Sequence, residues 1–154
     1  MILKFVNKIV FAGVLIIVGV VAGQYYLRDM QHRRPIETRN CDESVCLKPN
    51  EILGILASIG IKYGSDYLPD KLFETEKTIV IKHPTSKITD YLIIPKKDIK
   101  NIAEVSEEDK VYILDAIAAA QRVISDKKLT KYQLVTNGPG FQDVTYLHFH
   151  LVGE

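Results

Sequence analysis

The segment VTYLHFHLVGE, residues 144 to 154, carries the side chains best suited to chemistry. Successive side chains of a β-strand point to opposite faces. Thr145, Leu147, Phe149 and Leu151 therefore fall on one face, and Tyr146, His148, His150 and Val152 on the other. The first row reads as core. In the second, the Cα atoms of His148 and His150 are roughly 6 to 7 Å apart at a rise of about 3.3 Å per residue. That spacing suits two contacts to one phosphate or two ligands to one metal ion. Upstream, NGPG at 137–140 offers backbone that can approach a ligand closely, beginning at Asn137 and Gly138, and Gln142 adds a neutral amide able to donate to an oxyanion. A Gly-Pro turn between two strands needs no ligand, so the loop alone does not decide the matter.

Several elements must position these groups. In KPNEILGILASIGIKYG the apolar residues Ile52, Leu53, Leu56 and Ile59 recur at helical spacing, Pro49 suits a first turn, and Gly60 or Gly64 can end the helix. KTIVIKHP and TDYLIIPKK are rich in β-branched residues and flank a polar turn, which predicts a hairpin. SEEDKVYILDAIAAAQRVISDKK predicts a long helix with Ser106 as N-cap, Asp109 three residues on, and Lys127 and Lys128 at the end favoured by the dipole. Its row Val111, Leu114, Ile117, Ala118 and Ile124 is expected to pack on the sheet. The strands KYQLVT and VTYLHFHLV then flank the glycine loop. Helix, two strands, long helix, two strands is the order of an α+β domain with an antiparallel sheet.

The whole chain has 154 residues, enough for one domain and an appendage. With 20 Lys and Arg against 19 Asp and Glu the net charge is +1, which argues against a nucleic-acid partner. Residues 9 to 23, IVFAGVLIIVGVVAG, lack charge and, extended through QYYL, are expected to form an N-terminal transmembrane helix with Tyr25 and Tyr26 at the interface. Lys4 and Lys8 before the run, with Val20 and Ala22 near its end, also suit a cleaved secretory signal. The expected organisation is a membrane anchor or signal segment at 1–27, a polar stem at 28–46 that acts as a solvated tether, and the α+β domain at 47–154. Arg28, Arg33, Arg34 and Arg39 after the span argue for a cytoplasmic domain, whereas Cys41 and Cys46 are close enough to close a loop in an oxidising compartment. The expectation is a single-pass membrane protein whose domain lies on the extracytoplasmic side.

NGPGFQDVTYLHFHLVGE resembles the signature of the histidine triad (HIT) superfamily, in which Gln and a short spacer precede His-φ-His-φ-His-φφ, φ being apolar. TDYLIIPKKDIKNIAEVSEED is similar to the same superfamily's segment leading from a strand into the long helix. The likeness covers about residues 72 to 154. It implies that His148 is the nucleophile attacking the phosphate of a nucleotide conjugate and that His150, Gln142, Asn137 and Gly138 surround that phosphate. It also implies a homodimer formed through the long helix and its neighbouring strands. Departures stand beside the matches: Tyr146 occupies the triad's first histidine, Asp90 and Asp98 two further histidines, and Asp143 a Ser or Thr. Lys82 and His83 stand where an acid normally holds the ribose hydroxyls.

Three readings follow. The first is a phosphohydrolase or nucleotidyl transferase acting on a nucleotide or nucleotide-lipid phosphate through His148, with no cofactor, no resident metal and Tyr146 beside the phosphate. The second is a catalytically inactive binding or regulatory module at the membrane that keeps the fold. The third uses His148 and His150 with Asp90 or His83 as ligands for zinc or another transition metal.

Overall fold

The computed structural model describes residues 2–38, 46–84, 86 and 88–154. The chain divides into two compact units, Met1–Met30 and Gln31–Glu154.

The first unit is helix α1 (Ile2–Leu27), followed by a turn in which Arg28 Nε meets Asp29 Oδ1 at 3.3 Å. Its apolar side chains from Val10 to Val21 are exposed, including Phe11 and Ile16. The expected transmembrane helix, and with it the single-pass membrane localisation, is corrected here: among the described residues no helix is long and apolar enough to cross a membrane. Lys4 and Lys8 lie within the helix itself, so its charge-free part is shorter than its length.

The second unit begins with a small ladder of β1 (Ile36–Glu37) and β2 (Cys46–Leu47), followed by α2 (Pro49–Tyr63). A five-stranded sheet is built from β3 (Lys71–Glu74), β4 (Thr78–Lys82), β5 (Asp90–Pro95), β6 (Tyr132–Val135) and β7 (Phe149–Gly153), with α3 (Lys110–Lys127) between β5 and β6. The strand order is β3-β4-β5-β7-β6, and every pairing is antiparallel. This bears out the α+β architecture, with one strand, β3, that the sequence pattern did not reveal. The β4–β5 hairpin pairs Thr78 with Pro95 through to Lys82 with Tyr91, as the two β-branched runs predict.

Period-two alternation divides the core between the sheet's faces. Val80, Tyr91, Ile93, Phe149 and Leu151 pack with Ala116, Ala119, Ala120 and Val123 of α3. Ile79, Ile81, Leu92 and Ile94 point the other way and pack with Ile61 of α2 and with Tyr146. Both helices turn a different stripe inward than their apolar spacing predicts. Val111, Leu114, Ile117 and Ala118 of α3 are exposed while Ala116, Ala119, Ala120 and Val123 are buried, and Ile52, Leu53, Leu56 and Ile59 of α2 are exposed while Gly54, Ser58 and Ile61 are buried. Small residues win because they allow the helix backbone to approach its neighbours closely. The start of α3 also shifts: Ser106 stands four residues before Lys110, and its N–H and hydroxyl both donate to the Asp109 carboxylate, at 2.9 and 2.7 Å.

The expected solvated stem at 28–46 is corrected at Arg33, which is buried inside the second unit. Its guanidinium forms a two-pronged ion pair with Asp98, at 2.7 Å to Oδ2 and 2.5 Å to Oδ1. Arg33 Nε and Nη2 also donate to the Thr145 carbonyl at 3.0 and 2.7 Å, and the Gln31 N–H donates to Asp98 at 2.8 Å. A planar donor fork matches a carboxylate in this way, and a lysine would not. The expected Cys41–Cys46 loop involves Cys41, which lies outside the described residues.

Gly54 is where α2 crosses this network. A Cβ there would stand 2.2 Å from Thr145 Oγ1 and 2.6 Å from Arg33 Nε, whereas Gly60 meets nothing within 4 Å. Gly54→Ala is expected to destabilise the protein by about 1–3 kcal/mol, read as a lower urea midpoint. Gly60→Ala is expected to leave the midpoint unchanged or raised, since alanine is the better helix former.

Candidate functional site

A cavity of about 430 Å³ opens on the sheet face opposite α3, walled on one side by Leu56, Ala57 and Ile61 of α2 and on the other by Leu92 and Ile94 of β5. Its polar lining consists of His83, Asn137, Asp143, His148 and His150, with the Tyr146 ring beside them. β7 begins at Phe149, later than the expected strand, and together with the two residues before it keeps the expected alternation: Leu147, Phe149 and Leu151 enter the core, and His148 and His150 reach the cavity.

His148 Nδ1 lies 2.7 Å from the Tyr146 carbonyl. A carbonyl only accepts, so Nδ1 carries the hydrogen and Nε2 keeps a lone pair. The backbone carbonyl of His148 is itself held by the Thr136 hydroxyl at 2.8 Å. Burial depresses the imidazole's proton affinity, the neighbouring His150 and His83 depress it further, and both effects favour the neutral ring. Such a residue can act as a nucleophile without first losing a proton.

His150 lies beside it, with ring centroids 5.1 Å apart, and its Nδ1 is 3.1 Å from Asp90 Oδ2. The antiparallel register explains this contact. Leu92 faces His150 across β5 and β7, which makes Asp90, two residues from Leu92, a diagonal neighbour on the same face. His83 completes the group, its ring centroid 5.7 Å from that of His150. Sequence spacing made His83 no more than a secondary candidate; the β4–β5 hairpin brings it to the histidines.

Other expected site residues lie elsewhere. Asn137 lines the cavity, but Gly138 does not. The glycine that the loop requires is Gly140, whose φ of 88° favours a residue without a side chain. Gln142 turns away from the histidines: its Nε2 donates to the Lys100 carbonyl at 2.9 Å, and it faces a separate cavity of about 170 Å³ shared with Asn50 and Asn101. Asp143, the next residue, is exposed and lines the cavity that holds the histidines instead. Tyr146 contributes its ring to the wall, while its hydroxyl reaches the carbonyls of Pro95 and Lys97 at 2.9 and 3.1 Å. Burial, with the Asp98 carboxylate adding to it, pushes the phenol's pKa far up, so the group stays protonated and donates. Asp98 itself faces Arg33. Sequence reasoning missed Arg33, and the only signal for it was an acid set between Pro95 and Ile99 that needs a counterion.

The profile of the family described as "Scavenger mRNA decapping enzyme C-term binding" matches residues 61–154. Among solved structures, a HIT family hydrolase from Clostridium thermocellum is 30% identical, with a TM-score of 0.55, and the match covers 71% of this chain and 93% of that one. A HIT family hydrolase from Legionella pneumophila is 28% identical, with a TM-score of 0.55 and coverage of 60% and 88%. A histidine triad protein from Clostridium difficile, 18% identical with a TM-score of 0.55 over 62% of this chain and 90% of that one, shares the fold. No curated protein matches the chain.

Tyr146→Phe removes a buried donor and deprives the Pro95 and Lys97 carbonyls of its hydrogen bond. The expected loss is about 1–3 kcal/mol, measured by chemical denaturation. A hydroxyl that served a bound phosphate instead would leave the stability of the empty protein unchanged.

Proposed function

The chain belongs to the histidine triad (HIT) family, and from that premise we propose that it is a hydrolase or nucleotidyl transferase in which His148 attacks the phosphate of a nucleotide conjugate. The observation that carries this reading is the 2.7 Å contact from His148 Nδ1 to the Tyr146 carbonyl, which leaves the Nε2 lone pair for attack. Nε2 bonds to phosphorus as the leaving group departs with its electron pair; water or a second acceptor then displaces His148. His150, oriented by Asp90, and Asn137 serve the phosphoryl oxygens. The apolar wall of Leu56, Ile61, Leu92 and Ile94 suits a base or a lipid chain on the same ligand. Tyr146, at the triad's first position, supports the wall through its backbone contacts. The exposed row Val111, Leu114 and Ile117 on α3, 49%, 66% and 40% accessible, supports a homodimer.

A second reading, a binding module without turnover, is favoured by Gln142: with its amide on the Lys100 carbonyl, one donor is withdrawn from the phosphate.

One set of measurements separates the two. In the full chain, His148→Ala is expected to lower hydrolysis of nucleotide phosphoramidates or nucleotide diphosphate lipids by at least about 10³-fold; unchanged hydrolysis would remove the nucleophile from this scheme. If wild type turns over neither substrate while a nucleoside monophosphate raises its melting temperature, the binding module stands. For the dimer, light scattering is expected to give twice the chain mass for wild type, and Leu114→Lys is expected to shift that mass toward a single chain.

A further inference from the structure

We propose that His83, Asp90 and His150 form a binding site for one divalent transition-metal ion of the zinc class. A ligand atom from each of the three lies within 4.8 Å of the others. An ion with bonds of about 2.0–2.1 Å in tetrahedral geometry sets its ligands about 3.3–3.4 Å apart. Asp90 Oδ2 and His150 Nδ1, 3.1 Å apart, already meet that requirement. The half-buried His83 side chain has to close by at most about 1.5 Å, within the reach of a rotation about its side-chain bonds. The backbone beneath is rigid: the His83 N–H donates to the Asp90 carbonyl at 2.9 Å, and β5 is paired with β7 from Asp90 to Ile93. Asp90 and His150 are borne on strands and His83 directly follows β4, so ligands held this way lose little order when an ion binds.

Two independent observations point to a cation. Asp90 is only 7% exposed, and its Oδ1 is buried with no hydrogen-bond partner among the described residues. A carboxylate in that condition is costly to bury unless a positive charge answers it. The cavity, moreover, has no lysine or arginine among its described lining residues, and Asp143 adds a second acid. Phosphate would meet two carboxylates there, and a divalent ion at this cluster offsets their charge. Three protein ligands leave a fourth position for water or a ligand oxygen.

The inference goes beyond the catalytic reading, because His148 is not a ligand and activity is not the readout. Full-length protein stripped with a chelator is titrated with Zn²⁺ against a chromogenic competitor, and with Co²⁺ while its visible absorption is recorded. One ion per chain is expected, with affinity lowered at least about tenfold by His83→Gln and by Asp90→Asn, and unmoved by His32→Gln, whose exposed ring lies outside the cluster. Co²⁺ is expected to give the intense visible bands of a four-coordinate site. Asp90→Asn alters a buried group, so His83→Gln, in a half-buried side chain, decides the outcome if the former fails to fold. Failure to bind one ion per chain, or an affinity unmoved by His83→Gln, overturns the proposal whatever His148→Ala does to turnover.

Discussion

In the register that sets Leu92 opposite His150 and Ile93 opposite Phe149, two demands are met by one ladder. Side chains alternate, so the pairing that buries Phe149 and Leu151 against α3 is the same pairing that delivers His148 and His150 to the cavity. A slip of one residue would exchange the two sets and place imidazoles in the core. The site is therefore bound to the hydrophobic effect acting on the opposite face. The Asp90–His150 contact follows from the same register, since it joins diagonal neighbours on adjacent strands.

The second organising contact joins segments distant in sequence. Arg33 and Asp98 have side chains only 1% and 6% exposed, and an isolated charge so deeply buried would carry a large desolvation penalty. The guanidinium fork offsets it by satisfying both carboxylate oxygens and the Thr145 carbonyl together. One consequence reaches the site. Thr145 precedes Tyr146, whose carbonyl orients His148, so the segment leading into β7 is held from behind by a residue near the beginning of the second unit. Close approach of α2 at Gly54 belongs to the same arrangement.

Electrostatics gives each departure from the family pattern its own meaning. Asp98, Asp143 and Asp90 each put an acid where the family pattern has His, Ser or Thr. Asp98 is neutralised by Arg33 away from the cavity, Asp143 is exposed at its rim, and Asp90 is buried behind His150. Only Asp90 remains as an acid in contact with a site histidine.

Local pattern carried much of this in the sequence. The β-branched runs at 78–82 and 90–95, the terminal alternation from Leu147 to Leu151, and the histidines' shared face depend on backbone geometry that any extended segment adopts. Helix positions were also legible, because Pro49 and Gly64 mark the limits of α2 through their own backbone preferences. Which stripe each helix buries was not, since close approach favoured Gly54, Ala116 and Ala120 over the larger apolar residues beside them. Nor could spacing show that Gln142 turns from the histidines, that Arg33 leaves solvent for Asp98, or that His83 joins His150 and Asp90. The sequence by itself determined which residues share a face, because that depends on neighbours one or two positions away. Only the tertiary structure decided which of them meet, because those contacts join residues brought together by strand pairing and helix packing, over separations that carry no local signal.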